Sequence, residues 1–435
     1  MTRKHLAPCA ALALLLGCDA GPEPDVAAVP EAAAAASVSV TSVTRERVAG
    51  DVFHYSFIVR LGAEPNAQIA IHRVVRERAP WLPRPTAGAV MMLHGDFSTF
   101  ATNFAPTLGS PASAAPGLAP FLAGRNIDVW GFDRRWTQAP AEGADLSDFG
   151  GMTVAQEIGD TRTALAFARA VRLVTSASID RLVLVGFSHG GQLAYAYAST
   201  EAARPPLERH IKGLVPLDIY AQLAPEDEDL RQNACIGAAL EREAIAQGIV
   251  DSDNFFQIAL GGLALSAPTD PSPFFGRFTN QGAVDLLAGK TYLFFAPTPL
   301  YHLAAPVLDA NGDVAALRET PETIIDAWLA GAAPHQAFQE AADFDALWCN
   351  EPPLPVDVPL ARIRVPLLYV AAKGGFGTHG LYSTTQVSST DVTVLMVQRF
   401  DDSREAEDFG HADILFGAEA PDLVWKQLAA WILGL

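Results

Sequence analysis

The sequence is poor in cysteine and in positive charge. Its 435 residues include four Cys, no two of which form a CxxC pair, and this argues against a zinc ribbon or an iron–sulfur site. Only five residues are Lys, no basic run occurs and the formal net charge is −19, so binding to a nucleic-acid backbone is not expected. Charged residues make up 18% and hydrophobic residues 50%, a composition typical of a folded chain.

Long apolar runs are also missing, apart from a short one near the N-terminus. Residues 6–16 are apolar, follow Arg3 and Lys4, and are too few to span a bilayer. The run ends in Leu-Leu-Gly followed by Cys18, which resembles a bacterial lipobox. We therefore predict a signal peptide over residues 1–17, lipid attachment at Cys18 and a flexible tether over residues 18–37. An ordinary secretory signal is the alternative.

This prediction implies a bacterial lipoprotein in the periplasm or at the cell surface, held at a membrane through its lipid anchor only. In that oxidising setting Cys235 and Cys349 are expected to form a disulfide, with two buried free thiols as the alternative. No GxxxxGK[ST] phosphate loop, HExxH motif or other clustered metal-ligand set occurs, so neither a cofactor nor a metal is expected.

Apolar periodicity predicts an α/β protein. Short runs with the period of strands or of buried strands alternate with helical patterns, which favours a mostly parallel sheet flanked by helices. This alternation of strand and helix patterns is lost between residues 219 and 360, a segment that contains three Phe-Phe pairs. The alternation resumes after residue 360. We predict a core over residues 38–218 and 361–435, with residues 219–360 inserted as a mainly helical cap; a second independent domain is the alternative. The predicted strands cover residues 37–45, 53–61, 68–75, 89–93, 127–131, 182–185, 214–217, 366–370 and 392–397.

A Gly-x-Ser-x-Gly motif follows one of the predicted buried strands. The sequence runs from the apolar residues 182–185 into Gly186-Phe-Ser188-His189-Gly190 and then into a small-residue helical pattern. A nucleophile at a sharp strand-to-helix turn needs small neighbours, because the backbone doubles back where side chains would collide. Ser188 is therefore the candidate nucleophile, and Gly186 and Gly190 are the glycines of its turn. A plain glycine-rich turn is the alternative.

With this motif in its strand and helix context, the chain resembles the α/β-hydrolase family from about residue 50 to the C-terminus, the cap excepted. His94-Gly95-Asp96 follows another buried strand, where the family builds half of its oxyanion hole. The resemblance implies that the backbone N–H groups of Asp96 and His189 bind the oxyanion. An Asp at position 96 departs from the family pattern, since its carboxylate must point away from the developing charge. We expect His94 to stabilise the turn.

The resemblance also implies a catalytic base and an acid. Gly410-His411-Ala-Asp413 lies between the last strand and the last helix, where the family carries its base, so His411 is the candidate. No carboxylate follows residues 366–370 before Asp391, so the favoured acid is Asp218, at the end of the strand before the cap. Asp413, Asp408 and Asp402 are the alternatives. Asp133 and Arg134 are expected to form a structural ion pair beneath the site.

Together these residues predict a serine hydrolase that cleaves carboxylic esters through an acyl-enzyme. The aromatic cap suggests a small-molecule ester with an apolar or aromatic group. Three alternatives stay open: amide or peptide hydrolysis, which would require a cap group that recognises a substrate terminus; lactone hydrolysis; and a non-catalytic binding protein on a hydrolase scaffold.

Overall fold

A computed structural model of the protein describes residues 38–109, 117–176, 178–294 and 298–435. Residues 1–37 lie outside this range, so the predicted signal peptide, the lipidation of Cys18 and the tether stay predictions. In the described part of the chain, no helix is both long and apolar enough to cross a membrane.

The strands predicted from the sequence are all present, and most extend further than predicted. In chain order the strands are β1 (Ser39–Ala49), β2 (Val52–Arg60), β3 (Gln68–Ala79), β4 (Leu82–Pro83), β5 (Gly88–Leu93), β6 (Ile127–Asp133), β7 (Leu182–Phe187), β8 (Ile211–Leu217), β9 (Asp251–Asp253), β10 (Pro306–Leu308), β11 (Val314–Leu317), β12 (His335–Ala337), β13 (Leu367–Ala372) and β14 (Val392–Val397).

Ten of these strands form one twisted central sheet in the order β1-β2-β3-β6-β5-β7-β8-β13-β14, with β4 paired to β3. The β1, β2 and β3 strands pair antiparallel, as does β3 with β6, whereas every neighbouring pair from β6 to β14 is parallel. Every residue of β5, β6 and β7 is buried, which explains why β5 and β7 have continuous apolar sequences, because a parallel strand is covered on both faces; β6 also contains Asp128 and Asp133.

Helices cover both faces of the sheet, and the sheet separates two apolar cores. One core packs the C-terminal helix against Val90, Val183 and Val215, and the other packs Leu165 and Leu193 against the opposite face. Because successive side chains of a strand point to opposite faces, neighbouring residues of β5 and β7 feed different cores. The α-helices outside the predicted cap cover Phe100–Phe104, Pro106–Gly109, Leu118–Gly124, Val154–Ser176, His189–Ala202, Gly377–Thr385, Asp413–Phe416 and Lys426–Gly434.

Between β8 and β13 the chain leaves the sheet and is mainly helical, as predicted. This insertion also contains two short antiparallel strand pairs, β9 with β12 and β10 with β11. Cys235 and Cys349 form a disulfide between two of these helices, which confirms the predicted pairing. The helices of the insertion cover Glu228–Ala246, Phe255–Ser266, Asn280–Gly289, Glu322–Ala330 and Phe338–Cys349.

Candidate active site

Ser188 occupies a strained turn between β7 and the helix His189–Ala202. Its backbone has φ 55° and ψ −134°, a conformation that non-glycine residues rarely adopt. A Cβ placed on Gly186 would lie 2.1 Å from the carbonyl oxygen of Gly190, and one on Gly190 would lie 2.4 Å from that of Leu93. Only glycine allows these approaches, so the motif permits close backbone packing around the partly buried Ser188.

His411 and Asp218 meet although 193 residues separate them in the sequence. The Nδ1 atom of His411 lies 2.7 Å from Oδ2 of Asp218, and both side chains are buried. The carboxylate also accepts hydrogen bonds from the amides of Ala372 (2.8 Å) and Phe376 (3.0 Å). These bonds fix the carboxylate, which in turn fixes the rotation of the imidazole and the nitrogen that carries its hydrogen.

The other carboxylates considered from the sequence have different partners. Asp413 accepts bonds from the amides of Ala305 and Gly410 and from the Thr320 hydroxyl, which shapes the loop that carries His411. Asp408 accepts bonds from three backbone amides, one of them at 2.8 Å from Arg399, and Asp402 is exposed and pairs with Lys373. Of the four candidates, Asp218 is the one that contacts His411.

Aromatic rings enclose the His411 imidazole. Phe187 stacks on it with ring centroids 4.5 Å apart, and Phe376 meets it edge-on at 5.3 Å. Tyr301 lies against both rings, 5.6 Å from the imidazole and 4.3 Å from Phe376. Such packing restricts the ring to one orientation and keeps water away from its Nδ1 side.

The turn after β5 lies directly against Ser188. A Cβ placed on Gly95 would lie 3.0 Å from the Cβ of Ser188. Among the described residues, no acceptor takes a hydrogen bond from the backbone amide of Asp96 or of His189. These two unused donors flank Ser188, an arrangement that can bind a negatively charged oxygen formed beside it.

The side chains of these two residues neutralise each other. Nδ1 of His189 bonds to the Asp96 carboxylate, whose other oxygen accepts a 2.8 Å bond from Nε2 of Gln336. Burial opposes ionisation of Asp96, but the positive charge of His189 outweighs it and lowers the pKa of Asp96 to about 2. Burial also opposes the charged form of His189, yet the carboxylate raises the pKa of its imidazole. The carboxylate is therefore held by His189 and Gln336.

The expected ion pair between Asp133 and Arg134 does not exist. Asp133 instead accepts bonds from the ring of His72 (3.0 Å) and the amide of Phe100 (2.5 Å). Consecutive residues beyond a strand point to opposite sides, so Arg134 turns the other way and forms an ion pair with Glu340 of the insertion. His94 does stabilise its turn: its Nδ1 lies 2.8 Å from the carbonyl oxygen of Gly95, and burial lowers the pKa of the imidazole to about 3.

A cavity of about 660 Å³ joins these groups. Ser188, His189, His411 and Asp96 lie on its wall together with residues of the insertion. Much of the remaining wall is apolar and comes from Leu287, Leu293, Leu303, Trp328 and Leu329. This volume is in the range of small-molecule sites.

The Phe pairs contribute little to this cavity. Phe255 and Phe274 are exposed, whereas Phe256 packs edge-on against Phe274 and Phe275 within the insertion. Phe294 lines the cavity, and its neighbour Phe295 lies outside the described residues. Most of the apolar wall therefore comes from leucines and from aromatic residues outside the Phe-Phe pairs, such as Tyr301, Trp328 and Trp348.

Two carboxyl groups of the insertion also line the cavity. No hydrogen bond from a described residue reaches Asp345 or Glu241, and Oε2 of Glu241 is fully buried. Burial raises the pKa of Asp345 to about 6. Burial and the nearby Asp345 carboxylate raise the pKa of Glu241 to about 8.

One glycine motif was missed in the sequence. Gly375-Phe-Gly377-Thr-His-Gly380 follows β13 and has the G-x-G-x-x-G spacing of dinucleotide-binding turns. The structure gives these glycines another use. A Cβ would lie 2.0 Å from Asp218 Oδ2 at Gly375, and 2.0 Å from the Tyr369 hydroxyl at Gly380. The lack of a side chain at Gly375 and Gly380 leaves space for the Asp218 carboxylate and the Tyr369 hydroxyl.

A metal site has little basis in the described residues. Cys235, Cys349 and Glu351 come close enough to share an ion, but the two sulfurs are joined to each other and are not thiolate ligands.

The architecture is that of the α/β-hydrolase fold, as the sequence predicted: a mostly parallel sheet with helices on both faces, a strained serine turn after β7 and a helical insertion after β8. The structure matches that of a putative lipase from Sulfolobus solfataricus with a TM-score of 0.61 and 16% identity, covering 90% of this chain and 99% of that chain. It also matches a soluble variant of monoglyceride lipase from Saccharomyces cerevisiae in complex with a substrate analogue, with a TM-score of 0.47, 12% identity, and 93% and 98% of the two chains covered.

At such identities the likeness extends to the fold and not to the activity. No family model matches the sequence, and no curated protein matches it.

Proposed function

We propose that the protein is a serine hydrolase that cleaves carboxylic esters through Ser188, His411 and Asp218. The observation that carries this proposal is the 2.7 Å bond from the buried Asp218 to His411, which lines the same cavity as Ser188. An imidazole whose Nδ1 faces a buried carboxylate presents Nε2 as a base, and a serine on a strained turn is the nucleophile such a base activates.

The proposed reaction has two halves. Nε2 of His411 takes the proton of the Ser188 hydroxyl while Oγ attacks the ester carbonyl carbon, and the electron pair of the C=O bond moves to oxygen. The amides of Asp96 and His189 bind that oxyanion. The oxyanion then re-forms the carbonyl, the bond to the alkoxy group breaks, and His411 gives its proton to the leaving alcohol. Water, deprotonated by the same nitrogen, then releases the acid from Ser188.

Asp218 has a separate role in both halves. Its carboxylate keeps the hydrogen of His411 on Nδ1 and stabilises the imidazolium that forms during attack. The cavity supports a small-molecule substrate with an apolar group, because leucine and aromatic side chains cover much of its wall.

Amide or peptide hydrolysis by the same residues is a second candidate, and one observation favours it. The carboxyl groups of Glu241 and Asp345 line the cavity, and no described residue donates a hydrogen bond to either of them. A protonated amino group on the substrate would lower the raised pKa values of both groups and pair with the resulting carboxylates. Aminoacyl p-nitroanilides should then be cleaved faster than their N-acetylated counterparts, whereas an esterase for neutral substrates would not distinguish them in this way.

The test of the main proposal is hydrolysis of p-nitrophenyl esters of increasing acyl length by the chain from Ser37 onward. We expect Ser188→Ala and His411→Ala to abolish turnover and Asp218→Asn to reduce it by roughly 10⁴-fold. Asp402→Asn is the matched control, since that exposed carboxylate should not affect the rate.

A fluorophosphonate probe separates the enzyme from the binding-protein alternative. It should label wild-type protein at Ser188 and leave the folded Ser188→Ala variant unlabelled. Absence of both turnover and labelling in folded wild-type protein would refute the hydrolase proposal.

We also propose export as a lipoprotein with lipid on Cys18, on the sequence argument alone. Mass spectrometry of the membrane-bound protein from a bacterial host should find the diacylglyceryl group on Cys18. A Cys18→Ala variant released in soluble form with a normal fold would agree with it, whereas an unmodified wild-type Cys18 would contradict it.

A further inference from the structure

The peptide between Gly95 and Asp96 receives an unusual number of hydrogen bonds. Its carbonyl oxygen accepts from Nη2 of Arg134 at 2.7 Å, from the hydroxyl of Ser98 at 2.8 Å and from Nδ1 of His94 at 2.8 Å. Nε2 of His94 accepts the backbone N–H of Arg134 at 3.2 Å, so the ring hydrogen lies on Nδ1 and points to Gly95. All three donors fix one carbonyl group.

That carbonyl belongs to the same peptide plane as the N–H of Asp96. In a trans peptide the C=O and N–H bonds are rigidly coplanar and point in opposite directions. Three donors on the oxygen therefore set the direction of the N–H on the other side, beside Ser188. A positive charge at the oxygen also draws electron density from the nitrogen, which makes the N–H a stronger donor.

The guanidinium of Arg134 is itself held firmly. It is buried, its Nη1 forms an ion pair with Glu340 and lies 3.5 Å from Glu157, and its Nη2 also donates to the carbonyl of His94 at 3.0 Å. Glu340 lies in the first turn of the inserted helix Phe338–Cys349 and also accepts a hydrogen bond from the indole N–H of Trp136. A planar guanidinium with partners on both sides cannot rotate without breaking several bonds.

We propose that Arg134, anchored by Glu340, is a positioning residue that orients and polarises the Asp96 amide for binding the oxyanion. The inference rests on the proposed function, because the oxyanion forms only if Ser188 attacks a carbonyl. On this proposal the insertion contributes to binding of the oxyanion as well as to the shape of the cavity, because Glu340, which holds Arg134, belongs to the insertion.

The experiment compares an oxoester with its thionoester, in which sulfur replaces the carbonyl oxygen. Sulfur accepts hydrogen bonds poorly, so a weakened oxyanion donor slows the oxoester more than the thionoester, whereas general damage to the fold slows both alike. We would measure kcat/KM for both substrates with wild type, Arg134→Met and Arg134→Lys. Active-site titration gives the folded fraction of each preparation.

The matched control is Arg135→Met. Arg135 is the neighbouring residue and pairs with Asp160 at 2.6 Å, without reaching the oxyanion turn. We expect Arg134→Met to lower the oxoester-to-thionoester ratio of kcat/KM roughly 10- to 100-fold, Arg134→Lys to lower it less, and Arg135→Met to leave it unchanged. KM for the oxoester should change little.

A further variant covers the case in which neither Arg134 variant folds. Ser98→Ala removes one of the three donors and leaves the buried charges in place, and it should lower the ratio in the same direction by a smaller factor. An unchanged ratio in a folded Arg134 variant, or in Ser98→Ala if neither folds, overturns the inference. Lack of ester turnover by wild type would instead refute the proposed function.

Discussion

A single methyl group at Gly375 should disconnect the acid from the base. In Gly375→Ala the new Cβ would lie 2.0 Å from Oδ2 of Asp218 and 2.9 Å from its Cγ. The carboxylate has to retreat by about 1.4 Å to reach ordinary contact, and Oδ2 is the atom that bonds His411 at 2.7 Å and the Phe376 amide at 3.0 Å. A retreat of that size breaks both bonds.

The two consequences have different magnitudes. Loss of the acid from such a triad lowers kcat by about 10⁴-fold, equivalent to about 5 kcal/mol of transition-state stabilisation. Loss of hydrogen bonds to a buried carboxylate lowers the free energy of unfolding by about 1–3 kcal/mol. We therefore expect Gly375→Ala to be folded, slightly less stable than wild type and nearly inactive.

The assay is kcat/KM with p-nitrophenyl butyrate, with near-ultraviolet circular dichroism to verify the fold. Gly159→Ala is the matched control, because a Cβ at that helical position meets no atom within 4 Å. Wild-type kcat/KM in folded Gly375→Ala would show that the rate does not depend on contact between Asp218 and His411, and would refute the reasoning.

Three other perturbations have defined outcomes. For a cationic substrate, KM should fall as pH rises from about 6 to 8, because Asp345 and then Glu241 lose their protons, with pKa values of about 6 and 8. Glu241→Gln should remove the upper part of this pH dependence. The KM of an uncharged ester should not show the dependence. Replacing Cys235 and Cys349 by Ser should lower the free energy of unfolding by about 2–5 kcal/mol, measured by urea denaturation, and equal stability of both forms would contradict this. Burial raises the pKa of Asp326 to about 7. Its contribution to stability should decrease as pH rises from about 4 to 7, because the Asp326 carboxyl loses its proton at lower pH in the unfolded chain than in the folded protein. The thermal midpoint of Asp326→Asn should therefore exceed that of wild type at pH 8 but not at pH 4.

The elements nearest the site were the easiest to predict from the sequence. Buried parallel strands have continuous apolar sequences, and the turns that follow them need glycine, so Ser188 and Gly95 stand in local patterns. His411 was marked by its place between the last strand and the last helix. These signals depend only on neighbours in the chain, and a single sequence contains them.

The remaining parts of the site depend on contacts between distant segments. Glu340 reaches Arg134 across 206 residues, and Gln336 reaches Asp96 across 240. No periodicity or spacing encodes such a meeting, because each of these side chains sits in an ordinary helical or strand context. The expected pairing of Asp133 with Arg134 failed for the same reason: adjacency in sequence was taken as contact, whereas the pleat separates the two side chains.

The charges around Ser188 also explain the departure from the family pattern at Asp96. A carboxylate about 4 Å from an oxyanion would cost about 4 kcal/mol at the effective dielectric constant of a partly buried site, enough to slow attack by nearly a thousandfold. The imidazole of His189 bonds to that carboxylate, which raises the pKa of the imidazole and so favours its positively charged form. The two residues whose amides would bind the oxyanion thus cancel each other's side-chain charges. We therefore expect Asp to be tolerated at position 96 when a basic residue stands at position 189, which would give His189 a second role besides the one proposed for its amide.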